Sequence, residues 1–138
     1  MASSPTYPAA TGPIGIAKTI LPADTTAFVD VYDNSAGTSN VRVEALTLTS
    51  DDTSTVNIQF ARFKSATAFL VGTVRAVTLS GTDGAASRIN CLATIGTTAP
   101  DGIAVYEIAA GEKLQAKSLV TVTAAKTVTI QGWGRAYN

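Results

Sequence analysis

Hydrophobic and polar residues alternate along most of the chain, which is the pattern of strands with one buried face. In the segment TVNIQFARF, Val56, Ile58 and Phe60 alternate with polar residues. The same period of two recurs in KTVTIQGWGRAY, where Val128 and Ile130 alternate with threonine and glutamine. A period of two over several residues predicts a strand whose alternate side chains enter a core.

Further stretches of strand length are separated by turn-forming residues. They are predicted at AKTIL, TAFVDVYD, VRVEALTLTS, TAFLVGTVRAVTL, RINCLATI, IAVYEI and KLQAKSLVTV. Gly, Asn, Asp and Ser fill the connections between them, such as PAD, NSAGTSN, DDTS and SGTDGAAS. Because turn signals recur roughly every ten residues and no stretch predicts more than one helical turn, we expect an all-β fold. An antiparallel sandwich or barrel of about eight strands accounts for this pattern.

Two of the predicted strands are irregular. In VRVEALTLTS, Val41 and Val43 share one face whereas Leu46 and Leu48 follow the opposite phase. This phase change predicts a bulge, or a bend where the strand crosses between sheets. TAFLVGTVRAVTL is apolar nearly throughout, and Gly72 is a predicted kink, so this segment is one long bent strand or two.

The first fifteen residues have a different composition. Three prolines, Pro5 and Pro8 among them, lie between small residues, and Tyr7 is the single aromatic residue. Prolines spaced in this way disfavour helix and central strand and favour an extended arm. We therefore divide the chain into an arm (1–15) and one β-sandwich domain (16–138). Two interpretations of the arm stay open: a disordered tail, or an arm that lies on a neighbouring subunit with Tyr7 as its anchor.

Composition and charge favour an assembled protein. Of 138 residues, 46% are hydrophobic and 14% are charged, and ten basic residues cancel ten acidic ones. Low charge and zero net charge promote association. Nucleic-acid partners are not expected, because there is no basic stripe to neutralise phosphates.

The chain has no histidine, which removes the usual nucleophilic and general-base arrangements. Its single cysteine, Cys91, lies in an apolar run and is expected to be a small buried hydrophobic residue. Without a recognisable catalytic group or cofactor motif we expect neither an enzyme nor a bound cofactor.

Carboxylates in the predicted loops are the remaining candidates for a metal site. Asp51, Asp52, Asp83 and Asp101 lie beside turn-forming residues, where they would gather only if the loops share one end of the sandwich. The local sequence favours turn formation instead, since Asp accepts backbone hydrogen bonds and the following Gly adopts positive φ. We therefore expect no metal.

No membrane partner is expected either. The N-terminal residues lack a basic and an apolar region of the signal-peptide type, and no segment has the length of a membrane span. We expect synthesis and folding in a cytoplasm.

The strand pattern continues to the end of the sequence and finishes on three large side chains: Trp133, Arg135 and Tyr137. Chain ends fray unless they are tied down, so this strand is expected to be core or contact surface. Arg135 belongs to a set of arginines distributed one per strand, with Arg42, Arg62, Arg75 and Arg88. They are expected either to face outward against edge aggregation or to form pairs between subunits with acidic residues such as Glu44 and Glu112.

Three parts of the chain also carry a family likeness. Leu46 to Gln59 follows the line L-x-L-x-(S/T)-x-D-T-x-x-x-N-(I/V)-Q, Ile108 to Ala116 forms a strand after an x-x-G turn, and Thr121 to Tyr137 forms a short hairpin with an aromatic finish. With this order of segments, most of residues 28–138 resembles small virion proteins of tailed bacteriophages. This group includes capsid decoration, or cement, proteins.

The resemblance implies a jelly-roll sandwich that forms a homo-oligomer, with a trimer favoured. It also implies a place on the outer surface of the capsid, where the protein bridges subunits of the major capsid protein after synthesis in the cytoplasm of a bacterial host. No family residue is transferred to this chain, because the shared features are strand and turn patterns. The interface candidates come instead from the arm and from the last predicted strand, and they are Pro5, Tyr7, Pro8, Trp133, Arg135 and Tyr137.

Two alternatives remain. One is a carbohydrate-binding or receptor-binding module in which Trp133 stacks on a ring. The other is a head-completion or tail-associated virion component with the same fold.

Overall fold

The computed structural model of the protein describes residues 13–82 and 86–137. The strands are β1 (Ile14–Ile20), β2 (Val29–Asp33), β3 (Asn40–Ser50), β4 (Val56–Lys64), β5 (Thr67–Ala76), β6 (Ile89–Asn90), β7 (Thr97–Thr98), β8 (Ala104–Ile108), β9 (Lys113–Ser118) and β10 (Val128–Tyr137). A 3₁₀ turn (Pro22–Asp24) and a single helical turn, α1 (Leu92–Ile95), complete the described elements. Since β6 and β7 have two residues each, eight strands carry the fold, as the sequence predicted.

The strands form two sheets. Sheet A has the order β1-β10-β3-β8-β7, with β6 paired to β3, and sheet B has the order β2-β9-β4-β5. All pairings between these strands are antiparallel. The predicted all-β antiparallel sandwich is therefore confirmed.

The core lies between the two sheets and follows the period of two along the strands. In β3 the buried and less buried residues alternate on both sides of one irregular position. The largest fully buried side chains come from both sheets: Phe60, Ile20, Leu46, Leu48, Ile58, Ile108, Leu114 and Ile130. Each such side chain stabilises the fold by about 1.5–3 kcal/mol through removal of apolar surface from water.

The irregular position in β3 is a bulge at Glu44. Trp133 of β10 pairs with Ala45, and Gly134 pairs with Val43, so Glu44 is the extra residue. The predicted bulge is confirmed. The predicted crossing between sheets is wrong, because β3 pairs with β10 from Asn40 to Ser50 and stays in sheet A.

Two segments differ from their predicted form. RINCLATI is not a continuous strand: β6 has only two residues, and α1 begins directly after Cys91. The Asn90 side chain accepts a hydrogen bond from the Leu92 amide at 3.1 Å, which favours a turn at this point. TAFLVGTVRAVTL contains one strand, β5, with a register irregularity beside Gly72, and the strand ends at Ala76.

The arm and the sheet meet at β1. This strand begins at Ile14 and pairs with β10 along its whole length, so residues 14 and 15 of the predicted arm belong to sheet A. Residues 1–12 lie outside the described residues, and so do Pro5, Tyr7 and Pro8.

The hairpin between β4 and β5 has a two-residue turn without glycine. Ser65 and Ala66 both have positive φ, 50° and 61°, as a type I′ turn requires. Residues with a side chain are strained there, whereas Asn-Gly adopts this turn readily. We expect the double variant Ser65→Asn/Ala66→Gly to raise the free energy of unfolding by about 1 kcal/mol. Urea denaturation measures the effect, and the reverse order Ser65→Gly/Ala66→Asn is a control with a smaller expected gain.

A buried carboxylate holds the loop after β3 against the loop before β10. Asp52 is 1% exposed, and its oxygens accept hydrogen bonds from the Thr123 amide at 2.9 Å, the Thr123 hydroxyl at 2.8 Å and the Ser54 amide at 2.9 Å. Burial alone raises the pKa of Asp52, but these hydrogen bonds outweigh burial and lower it. Asp52 therefore ties two loops of the sandwich together in its ionised form.

We expect this carboxylate to make folding stability fall in acid. The folded-state pKa of Asp52 lies below its unfolded value of about 3.9. Its contribution to the free energy of unfolding is therefore complete above the unfolded pKa and is lost as the pH falls through the folded pKa. Urea denaturation at neutral pH and near pH 3 should show a smaller loss of stability for Asp52→Asn than for the unmodified protein. An equal loss in both proteins would show that other carboxylates carry the acid sensitivity.

Candidate functional site

Trp133, Arg135 and Tyr137 lie on one face of β10, at alternate positions, and the structure brings them together around Glu44. The Arg135 guanidinium lies 5.7 Å from the centre of the Trp133 ring system. Arg135 Nε is 3.7 Å from Glu44 Oε2, and the Tyr137 hydroxyl donates to Glu44 Oε1 at 3.1 Å. The three predicted interface candidates thus form one outward-facing strip with the bulge residue of β3.

The bulge explains why Glu44 reaches this strip. An extra residue in one strand redirects its side chain relative to the regular pleat. The Glu44 side chain is 22% exposed and contacts two residues that follow each other on the same face of β10. Burial and the hydrogen bond to Glu44 raise the pKa of Tyr137, so its hydroxyl stays a proton donor near neutral pH.

The surface beside Trp133 is a shallow depression of about 750 Å³. Trp133 is 40% exposed, and its partners in the adjacent strands, Gly15 in β1 and Ala45 in β3, are small. Thr47, Arg88 and Gln131 supply polar groups at the same depression. An exposed indole with small neighbours and polar groups nearby can stack on a flat ring and hydrogen-bond its substituents.

A second surface lies between β5 and β8. Phe69 and Leu70 are 54% and 64% exposed although they belong to a strand. They line a groove of about 580 Å³, together with apolar residues of α1, β8 and the loop after β7: Ile95, Pro100 and Val105. This surface was not among the predicted interface candidates, because an apolar stretch predicts a strand without indicating whether its side chains are covered. The absence of charge and proline from Ser65 to Val74 is the signal that could have identified it.

Arg62, which also lines this groove, forms an ion pair. Arg62 lies 2.8 Å from Glu112, and the Glu112 side chain is only 3% exposed. Lys64 is more distant from the same carboxylate, at 3.9 Å. Burial raises the pKa of the neighbouring Tyr106, while Arg62 lowers it and Glu112 raises it. Of the predicted arginine pairs, those of Arg62 and Arg135 are therefore formed within one chain.

The remaining sequence candidates have structural roles. Asp101 accepts a hydrogen bond from the Ile103 amide, which confirms its predicted turn function. Asp51 instead accepts one from the distant Thr127 amide, so it connects two loops and does not stabilise its own turn through this bond. Asp83 lies outside the described residues. Within residues 13–82 and 86–137, no group of three metal-ligating side chains is found. Cys91 is fully buried as predicted, and burial raises the pKa of its thiol to about 12.

No protein-family model, curated protein or solved structure matches this chain. In the described part of the chain, no helix is long and apolar enough to cross a membrane.

Proposed function

We propose that the protein is a structural virion protein that binds the outer surface of a phage capsid and stabilises it by bridging major capsid subunits. The observation that carries this proposal is the exposure of large apolar side chains on a chain with few charges. Phe69 and Leu70 are both more than half exposed, and they line one groove with Ile95, Pro100 and Val105. Scattered apolar residues are common on protein surfaces, but a contiguous groove of them is typical of contact with another protein.

The strand order supports the jelly-roll arrangement that the resemblance implies. In sheet A the long strands follow the order β1-β10-β3-β8, and in sheet B they follow β2-β9-β4-β5. Each sheet therefore contains strands from the beginning, the middle and the end of the chain. Two interlocked Greek keys produce orders of this kind, and eight-stranded sandwiches of capsid proteins use them.

The mechanism of such a protein is many weak contacts on a repeating lattice. Each subunit buries a modest apolar area, which stabilises the contact by about 25 cal/mol for each Å² removed from water. Assembly as a homotrimer would join three such contacts, and linked contacts raise the effective concentration of each one. Neither a catalytic group nor a cofactor is needed.

Cosedimentation with phage heads tests the proposal. Purified protein is mixed with expanded heads that lack decoration and with unexpanded proheads of the same phage, and bound copies per shell are counted. We expect saturable binding of on the order of hundreds of copies that is selective for the expanded form. A handful of copies would favour the head-completion or tail-associated alternative, and no binding would contradict a virion role on the capsid surface.

Deleting residues 1–13 tests the arm. Because β1 begins at Ile14, we expect the truncated sandwich to keep its melting temperature. Its affinity for expanded heads should fall by about tenfold if the arm with Tyr7 contributes an anchoring contact. Equal affinity of the truncated and full-length proteins would remove the arm from the proposal.

The depression beside Trp133 favours one alternative function, carbohydrate or receptor binding. In that case Trp133→Ala should abolish binding on a glycan array while the melting temperature stays unchanged. Phe69→Ala is the matched control, since it removes another exposed aromatic side chain from a different surface. No binding of the unmodified protein to a broad glycan panel would contradict this alternative.

A further inference from the structure

The first half of the β5 edge of sheet B, Thr67–Leu70, lacks the features that normally protect a sheet edge, whereas the second half has a register irregularity beside Gly72, contact with α1, and a charged residue, Arg75. Among the described strands, β5 pairs only with β4, so alternate backbone groups of β5 point away from its sheet. From Ser65 to Val74 the sequence contains no charged residue and no proline. The edge strand at the other end of sheet B, β2, carries Asp30 and Asp33. An unprotected apolar edge can pair with a strand from another chain.

Exposure is concentrated at the beginning of β5. All four residues from Thr67 to Leu70 are exposed, so neither face of this part of the strand is covered within the chain. The nearby groove continues this surface with Ile95, Pro100 and Val105. An added strand would therefore find backbone groups at the edge and apolar contacts beside it.

The charges around this edge favour a partner that carries a carboxylate. Residues 53–82 contain three charged side chains, Arg62, Lys64 and Arg75, and all three are basic. Arg42 also lines the groove, and its Nε is buried without a hydrogen-bond partner in the described structure. Glu112 offsets the charge of Arg62, and Glu107 pairs with Arg42 across β3 and β8, so the charge that is not offset is that of Lys64 and Arg75. The β4–β5 hairpin keeps a positive character that a carboxylate would complement.

Two other occupants fit these charges less well. Pairing of β5 with β5 of a second copy would bring Lys64 and Arg75 of both copies into one interface, where like charges repel each other. The N-terminal arm offers a tyrosine between prolines, but residues 1–13 contain no Asp or Glu. Neither the arm nor a second β5 strand supplies a carboxylate for Arg42.

We propose that the β5 edge binds an extended segment of the major capsid protein that has apolar side chains at alternate positions and at least one carboxylate. The segment extends sheet B by one strand, its apolar side chains contact Phe69 and Leu70, and its carboxylate lies near Arg42 and Lys64. This inference rests on the proposed function and specifies the surface through which it acts.

Cosedimentation of two matched lysine variants with expanded heads tests this surface. Leu70→Lys places a charge on the β5 edge, and Val120→Lys places the same charge at an equally exposed position, 67% against 64%, in the loop after β9. We expect Leu70→Lys to weaken head binding by about tenfold or more and Val120→Lys to change it by less than about twofold. Equal effects of the two variants, or no effect of Leu70→Lys, would overturn the inference.

Two further measurements separate the remaining explanations. Lys64→Glu should weaken head binding more than Arg88→Glu, an exposed arginine outside the β4–β5 hairpin, because the partner's carboxylate lies near Lys64, whose side chain is 54% exposed. Equal losses of head binding in the two variants would overturn the inference that the partner segment carries a carboxylate at this edge. Sedimentation equilibrium of the free protein should give the same mass for Leu70→Lys and the unmodified protein, and dissociation of an oligomer would assign the edge to a second copy instead. If the unmodified protein does not bind heads at all, the proposed function itself fails.

Discussion

Replacing Gly132 with alanine is expected to destabilise the sandwich by about 3 kcal/mol or more. A Cβ atom at this position would lie 1.9 Å from the carbonyl oxygen of Ala45, and one at Gly134 would lie 2.5 Å from that of Arg42. Both obstacles are backbone atoms of β3 beside the bulge at Glu44, so they cannot move without disturbing the pairing of the two central strands. We expect Gly134→Ala to be the milder of the two substitutions.

Gly15→Ala is the matched control for this experiment. Gly15 pairs with Trp133 from the other side of β10, and a Cβ added there meets no atom within 4 Å. We expect its free energy of unfolding to stay within about 0.5 kcal/mol of the unmodified value. Urea denaturation of the three variants measures the difference. Similar values for Gly132→Ala and Gly15→Ala would mean that β3 and β10 do not approach as closely as described.

Removing Arg62 is expected to lower the free energy of unfolding by about 2–3 kcal/mol. This is less than the about 3–5 kcal/mol expected for breaking a fully buried pair, because the Arg62 side chain is 47% exposed. The variant Arg62→Gln leaves the buried carboxylate of Glu112 with Lys64 as its only ion-pair partner among the described residues, and the Lys64 Nζ is 3.9 Å away. The converse variant Glu112→Gln leaves a guanidinium that water already reaches. We therefore expect Arg62→Gln to destabilise the protein more than Glu112→Gln.

A double-mutant cycle isolates the interaction. The combined variant Arg62→Gln/Glu112→Gln should be more stable than the sum of the single effects implies, by about 1 kcal/mol or more. Arg75→Gln serves as the control, because Arg75 is exposed on the neighbouring strand and no ion pair of it is found in the described structure. Additive single effects would show that Arg62 and Glu112 stabilise the fold independently.

The strands were predictable because their signal is local. Alternation at Val56, Ile58 and Phe60 identifies β4 from its own residues, and the phase change between Val43 and Leu46 locates the bulge in the same way. RINCLATI was predicted incorrectly because apolar content alone does not distinguish a strand from one turn of helix. The Asn90 side chain, which caps the Leu92 amide, decides the outcome there.

The candidate site was predictable only in part, for a related reason. Trp133, Arg135 and Tyr137 share a face by the period of two, so their common strip follows from the sequence. Their connection through Glu44 does not follow from the sequence, since it depends on the pairing of β10 with β3, two strands that are far apart along the chain. The apolar edge of β5 was missed because sequence shows that a residue is apolar but not whether another strand covers it.

The position of β10 has a consequence for the order in which the molecule can fold. Among the described strands, β1 has β10 as its only neighbour in sheet A, and β3 pairs with the opposite side of β10. In sheet A, β1 therefore stays unpaired until β10 has been synthesised. Contacts between residues so distant in sequence slow folding, because the entropy of loop closure is lost before the contacts stabilise the chain. We expect a slow refolding step in stopped-flow experiments that reports on the closure of sheet A around β10.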